Sequence, residues 1–166
     1  MKRFAELFKA ALVARTRVPD LQLVIVGEGP ERVVLESLIA AHDAAGWVSL
    51  RGHIGRHELL ALYQQAWLVT SASLAEGWGL TLTEAAACGV PAVATDISGH
   101  RCSVVDGETG VLADLDHLGD TIADVLQQPQ RRAELAAAAL RRARELTWDN
   151  SALGIIDALH HQVLLR

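Results

Sequence analysis

Two glutamates, Glu76 and Glu84, stand with seven residues between them around a Gly-Trp-Gly turn, in the run Ser73 to Thr95 that reads SLAEGWGLTLTEAAACGVPAVAT. Gly77 and Gly79 carry no Cβ, so the backbone there can take φ > 0, approach a ligand closely and offer bare N–H groups. Leu80, Thr81, Leu82 and Thr83 lead into Glu84-Ala85-Ala86-Ala87-Cys88, good helix material closed by Gly89 and Pro91. The start of that helix points back at the glycines. Its unpaired N–H groups and the positive end of its dipole suit an anion, most often a phosphate. Glu84 is expected in the first turn. A carboxylate beside a phosphate would be repelled, so its natural target is a pair of neutral vicinal hydroxyls such as those of a ribose. The two acids should face one site.

Other chemistries compete for these residues. A glycosidase needs two carboxyls about 5 Å apart, or about 6.5–9.5 Å apart, across the bond it cuts. Spacing in sequence does not set that distance, and a glycine cradle does not favour hydrolysis. Gly27-Glu28-Gly29-Pro30 follows a strand pattern and opens a helix pattern, but a G-x-G-x-x-G dinucleotide fingerprint would require Gly where Arg32 stands. The segment reads either as a tight strand-to-helix turn or as a turn lining a cleft. His53 and His57 have a zinc-like spacing, yet Gly55 between them argues for a loop, and no third ligand is near. Asp114-Leu115-Asp116 precedes a helix pattern, where Asp is a preferred N-cap. No metal is expected. His42, His117, His160 and His161 read as surface or helix residues.

The elements that must position the motif follow from periodicity. Phe4, Leu7, Phe8, Ala11 and Leu12 form one stripe of an amphipathic helix over Lys2 to Arg17. Leu21 to Val26 is a short buried strand. Pro30, at a first helical position, starts a helix that ends before Gly46. Strand Val48 to Leu50, helix Arg56 to Gln65, strand Trp67 to Thr70, the motif helix, strand Ala92 to Thr95 and a strand near Val111 follow at regular spacing. Alternation of this kind means a parallel sheet with helices on both faces. After Leu112 the pattern is helical only: Leu118 to Gln127, Pro129 to Leu146 and Trp148 to Leu164.

Composition bounds the function. The 166 residues, 51% hydrophobic, are one domain's worth of chain with material for a sizeable core. A formal net charge of −5 and a pI near 5.8 give no global basic field for nucleic acid or an anionic membrane. Cys88, in the apolar helix, and Cys102, read as a loop residue, make neither a metal spacing nor a disulfide framework, which points to a reducing cytoplasm. No apolar run reaches the roughly 18 residues of a spanning helix, and no leader pattern is present.

At the central motif the chain resembles the retaining glycosyltransferases of family 4, which have the GT-B architecture. The likeness rests on the E-x7-E pattern of Glu76 and Glu84 within EGWGLTLTEAAACGVPAVAT. Three weaker stretches support it: LVIVGEGPE (Leu23 to Glu31), VSLRGHI (Val48 to Ile54) and VVDGETGVL (Val104 to Leu112). In that family these stretches lie in this order in the C-terminal, donor-binding half. The resemblance implies a Rossmann-like, doubly wound α/β domain with a helical C-terminal end and its first strand missing. It implies a donor that is a UDP-, GDP- or ADP-sugar, no further cofactor, and a partner in an N-terminal acceptor domain absent from this chain, through which any membrane contact would run. The final helices would reach towards that domain.

Residue by residue, the resemblance implies Glu76 against the transferred sugar as the catalytic carboxylate and Glu84 on the ribose. Backbone groups around Gly77, Trp78, Gly79, Leu80 and Thr81 would hold phosphate, helped by Lys2, while a family Arg that precedes this Lys has no counterpart. Gly29 would line the donor cleft, and His53 and Ile54 would present backbone groups to the base. Ser98-Gly99-His100-Arg101-Cys102 departs from the family's two glycines followed by Pro and Glu, which bears on donor-sugar selectivity. Two other readings are distinguishable. A non-catalytic nucleotide-sugar binding or docking module acting with a partner chain would lack an acceptor half upstream. A nicotinamide-dependent oxidoreductase would saturate with that cofactor.

Overall fold

The computed structural model describes residues 2–164, and side chains through residue 160. The side chain of His161 lies outside the described residues. Among the described residues, five short parallel strands alternate with helices. In chain order they are α1 (Phe4–Arg17), β1 (Leu23–Ile25), α2 (Arg32–Ala41), β2 (Val48–Leu50), α3 (Arg56–Gln65), β3 (Val69–Ser71), α4 (Leu80–Ala87), β4 (Ala92–Thr95), α5 (Ser98–Ser103) and β5 (Gly110–Ala113). Three helices close the fold: α6 (Leu118–Gln127), α7 (Pro129–Glu145) and α8 (Trp148–Leu164).

The strands form two parallel sheets rather than one. β1 pairs with β2, Leu23 opposite Val48, and β4 lies between β3 and β5, Val93 opposite Thr70 and Val111. Among the described residues, β1 and β3 are each hydrogen-bonded to a strand on one side only. A single apolar core nevertheless runs beneath both sheets, joining Leu23, Ile25 and Val48 to Ala72 and Val93.

β4 shows why helices cover both faces. All four of its residues are buried, and successive strand side chains point to opposite faces. Val93 joins the larger core with Phe8 and Ala11 of α1 and Leu118 and Ile122 of α6. Ala92 and Ala94 join a second cluster with Leu82 of α4 and Val104. A strand buried on both faces has no solvent-facing polar side to show, which is why Ala92-Val93-Ala94 reads as a continuous apolar run, and the one polar residue, Thr95, spends its hydroxyl on a hydrogen bond. Phe8 is fully buried and stacks on Trp47 with ring centroids 6.0 Å apart.

Several boundaries differ from the sequence reading. Pro30 lies in a turn, closed by Arg32 N–H donating to the Gly29 carbonyl, and α2 starts two residues later. β3 begins at Val69, not Trp67. The Trp67 ring instead lies outside the strand beneath the Arg132 guanidinium, 4.4 Å from its centroid. Ser98–Ser103 is helical, which places Cys102 on a helix rather than in a loop. Asp114 occupies the cap position of a short 3₁₀ turn, but its side chain makes no capping hydrogen bond. No helix among the described residues is long and apolar enough to cross a membrane.

Candidate functional site

The Glu76–Gly79 turn leaves β3 and enters α4 on a floor made by α5. Gly79 takes φ +86° at the N-cap of α4. That left-handed backbone lets the helix begin at Leu80, one turn earlier than expected, so Glu84 sits in the second turn and not the first. Leu82, 2% exposed, anchors the early turn in the second core. Gly77 does not take φ > 0, and a Cβ on it would meet open space. Of the two glycines of this turn, Gly79 is therefore the one that needs its glycine for conformational reasons.

Beneath the turn the packing is tight. A Cβ on Gly99 would fall 2.6 Å from the Glu76 carbonyl carbon and 2.9 Å from its Cβ, and one on Gly79 would lie 3.2 Å from both His100 Cδ2 and Ser103 Oγ. His100 is fully buried. Its Nδ1 lies 2.7 Å from the Thr95 carbonyl, which can only accept, so Nδ1 carries the proton. Nε2 is buried without a hydrogen-bond partner among the described residues. The sequence reading did not single out His100. The available signal was its position just after the carboxyl end of a fully buried parallel strand, where α/β sheets place their clefts.

Charged groups then organise the opening above. Lys2 Nζ lies 2.6 Å from Glu76 Oε1, and Ser73 Oγ, almost fully buried, donates to the same oxygen at 2.7 Å. Ser73 is tied in turn by Thr95 Oγ1, which donates to its carbonyl at 2.7 Å. The Lys2 ammonium donating to it, with the Ser73 hydroxyl and the His100 ring contributing less, holds the Glu76 carboxyl below the ordinary glutamate value of 4.5 against the opposing effect of burial. Glu84 is exposed and accepts from the Tyr63 hydroxyl at 3.1 Å on Oε2. Trp78 folds back so that its indole N–H donates to Thr83 Oγ1 at 2.9 Å. No side chain caps the start of α4; the Leu82 N–H donates to the Gly79 carbonyl at 2.9 Å, and the N–H groups of Leu80 and Thr81 are left to a ligand or solvent.

One cavity of about 490 Å³ is lined by Lys2, Glu76, Gly77, Trp78, Gly79, Leu80, Thr81 and Glu84. Gly29, His53 and Ile54 are not part of that lining. They sit on the turns after β1 and β2, which are joined to each other by Gly27 N–H donating to the Gly52 carbonyl at 2.8 Å. His53 and His57 straddle the start of α3, and no cluster of three or more metal-ligating side chains occurs among the described residues.

Two outcomes follow from this geometry. Gly99→Ala should overpack the floor, costing about 1–3 kcal/mol by denaturant unfolding, and a variant as stable as the parent would mean the turn is free to lift. In an NMR pH titration Glu76 should titrate below 4.5 and move upward in Lys2→Gln. Because the folded value is depressed, the pair's contribution to stability is present above the ordinary pKa and fades as pH falls through the folded one. An unchanged Glu76 midpoint in the variant would show that the ion pair does not form in solution.

Comparison with known proteins gives the arrangement its context. The family model described as glycosyl transferases group 1 matches residues 1–142. The chain is 34% identical over 165 residues to a D-inositol 3-phosphate glycosyltransferase from Arthrobacter sp. (strain FB24), covering 95% of this chain and 39% of that protein. It superimposes on the pneumococcal O-GlcNAc transferase GtfA in complex with UDP and GlcNAc with a TM-score of 0.82 at 27% identity, covering 98% of this chain and 33% of that one. It also matches the C-terminal domain of the group 1 glycosyl transferase LpcC from Francisella tularensis, with a TM-score of 0.76 at 25% identity over 84% of this chain and 76% of the other. The chain thus spans about two fifths of the length of the first of these relatives. Its parallel α/β layers are those of a GT-B donor-side domain, and the chain belongs to the glycosyl transferases group 1 family.

Proposed function

We propose that this chain is the donor-binding half of a retaining glycosyltransferase that takes a sugar from a nucleotide-diphosphate sugar. The observation that carries the reading is the single cavity in which a lysine, an uncapped helix start and two carboxylates meet. The three kinds of group divide the donor between them. Lys2 and the N–H groups of Leu80 and Thr81 suit the diphosphate. Glu84, further along α4, is placed for neutral hydroxyls of the ribose. Glu76, on the turn, faces the sugar. The turns bearing Gly29, His53 and Ile54 lie outside the lining, and their contact with the base would come as the donor extends beyond it.

The chemistry follows from those positions. As the bond from the anomeric carbon to the diphosphate oxygen breaks, positive charge grows on the carbon and negative charge on the leaving oxygens. Glu76 stabilises the first and Lys2 the second, provided water is excluded. Lys2 and Glu76 are paired to each other, so an arriving diphosphate competes for the lysine and releases the carboxylate towards the sugar.

Completion of the site belongs to a second, acceptor-binding half. α8 supports this reading: Trp148 is 91% exposed, and Leu153, Ile155 and Leu159 stand in solvent along the same helix. So much apolar surface on one helix calls for a covering partner. Within this half, the unpaired edges of β1 and β3 leave a place for one more parallel strand. Filling it gives the order 3-2-1-4-5-6 of a doubly wound sheet, with α1 as the crossover into β1. In a chain extended ahead of residue 1, amide exchange at Val24 and Thr70 should slow at least tenfold, and equal rates would remove that strand from the reading.

The two glutamates give the direct test. Calorimetric titration with nucleoside diphosphates should show Glu84→Ala weakening the bound nucleotide by roughly tenfold to over a hundredfold, the value of charge-assisted hydrogen bonds of about 1.5–3 kcal/mol. Glu76→Gln should leave that affinity equal or tighter, because Lys2 is then free, while lowering kcat in the two-domain enzyme. UDP is the first probe, since the pneumococcal relative holds it, with GDP and ADP beside it. A folded Glu84→Ala variant that binds as tightly as the parent would end the ribose assignment, and sugar transfer by this chain alone would end the need for a second half.

A further inference from the structure

Glu84 does not stand alone on α4. The Tyr63 hydroxyl, on the last turn of α3, donates to Glu84 Oε2 at 3.1 Å. Tyr63 is only partly exposed, and burial first, then the adjacent Glu84 charge, pushes its phenol up from the ordinary 10.0. The hydroxyl therefore keeps its proton and remains a donor. Glu84 is itself exposed, on the fifth residue of an eight-residue helix. A glutamate in that setting has three side-chain torsions free in solvent. Nothing else among the described residues holds its carboxylate.

Resting on the reading of Glu84 as the ribose ligand, we infer that Tyr63 is the positioning residue that aims the Glu84 carboxylate at a vicinal diol and so sets discrimination between ribose and deoxyribose. Tyr63 occupies one lone pair of Oε2 and fixes the plane of the carboxylate. Oε1 and the remaining lone pair of Oε2 are then presented together, which is what two neighbouring hydroxyl donors require. A diol engages both oxygens, whereas a 2′-deoxyribose offers one donor and leaves one oxygen unused. The benefit of the tyrosine thus appears only when both hydroxyls are present. A simple packing role would act on both sugars alike.

The same geometry separates Tyr63 from the other polar pair on this helix. Thr83, next in sequence to Glu84, accepts from Trp78 and so secures the turn to the helix. Tyr63 secures only a side chain. Its removal as Tyr63→Phe deletes the hydroxyl, leaves the ring in place and should not unfold the chain.

Dissociation constants for UDP, GDP and ADP identify the preferred base, and the preferred diphosphate is then compared with its 2′-deoxy counterpart by calorimetry in four chains: wild type, Tyr63→Phe, Glu84→Ala and the double variant. Wild type should prefer the ribonucleotide by about tenfold or more, and Glu84→Ala should bind the two equally. Tyr63→Phe should cut the preference by about threefold to tenfold through weaker ribonucleotide binding, with the deoxynucleotide unchanged. In the Glu84→Ala background it should change nothing further. Equal weakening of both sugars by Tyr63→Phe, or an undiminished preference, would overturn the positioning role while leaving Glu84 on the ribose. A wild-type chain without any preference, or a Glu84→Ala chain that keeps it, would overturn the ribose reading itself and the inference with it.

Discussion

The site depends on how closely the Glu76–Gly79 turn lies on α5. Gly99 has no room for a Cβ against the Glu76 backbone, and Gly79 closes on the edge of the buried His100 ring. Because the interior is packed near crystal density, such a contact has no intermediate heights. The turn either rests on this floor or leaves it. Its resting height fixes where Glu76 emerges and where α4 begins, and through α4 the position of Glu84 a turn later. Thr95 binds the arrangement to the sheet, its hydroxyl holding the Ser73 carbonyl and its own carbonyl holding His100. The end of one buried strand thereby sets the coordinates of both carboxylates.

The two acids differ in what surrounds them, and the difference suits the separate tasks proposed for them. Glu76, partly buried, is held by a cation and a buried hydroxyl on one oxygen, which keeps it ionised. A carboxylate that must meet positive charge as it forms benefits from this. Glu84 is exposed and held by a neutral phenol. A neutral partner orients the group without competing with a second ligand for its charge. One is organised by electrostatics and the other by geometry.

The periodicity in the chain was sufficient for the architecture because each element satisfies its own backbone hydrogen bonds and shows its buried side through residue type. The boundaries Val48–Leu50, Arg56–Gln65, Ala92–Thr95 and Leu118–Gln127 agree with the sequence reading residue for residue. The candidate motif was also legible, since its glycines, its two acids and their spacing are all local features of the chain. Where the reading slipped, a non-local contact had displaced a local preference. Trp67 reads as the start of a strand until the Arg132 guanidinium, from a distant helix, takes its ring. Ser98–Ser103 has poor helix propensity and becomes a helix because its glycine and histidine must fit beneath the turn.

The sequence by itself determined the kind of domain and the family, and it singled out the two acids as candidates, because hydrophobic period and motif spacing are properties of a chain read along its length. Only the tertiary structure decided which residues share a cavity. It set Lys2 on Glu76 across 74 positions of sequence, Tyr63 on Glu84, and His100 under Gly79. It also left Gly29, His53 and Ile54 outside that cavity. Such pairings are fixed by the order in which strands lie beside one another and by how far each helix is pressed onto them. Neither quantity is written in any local stretch of residues.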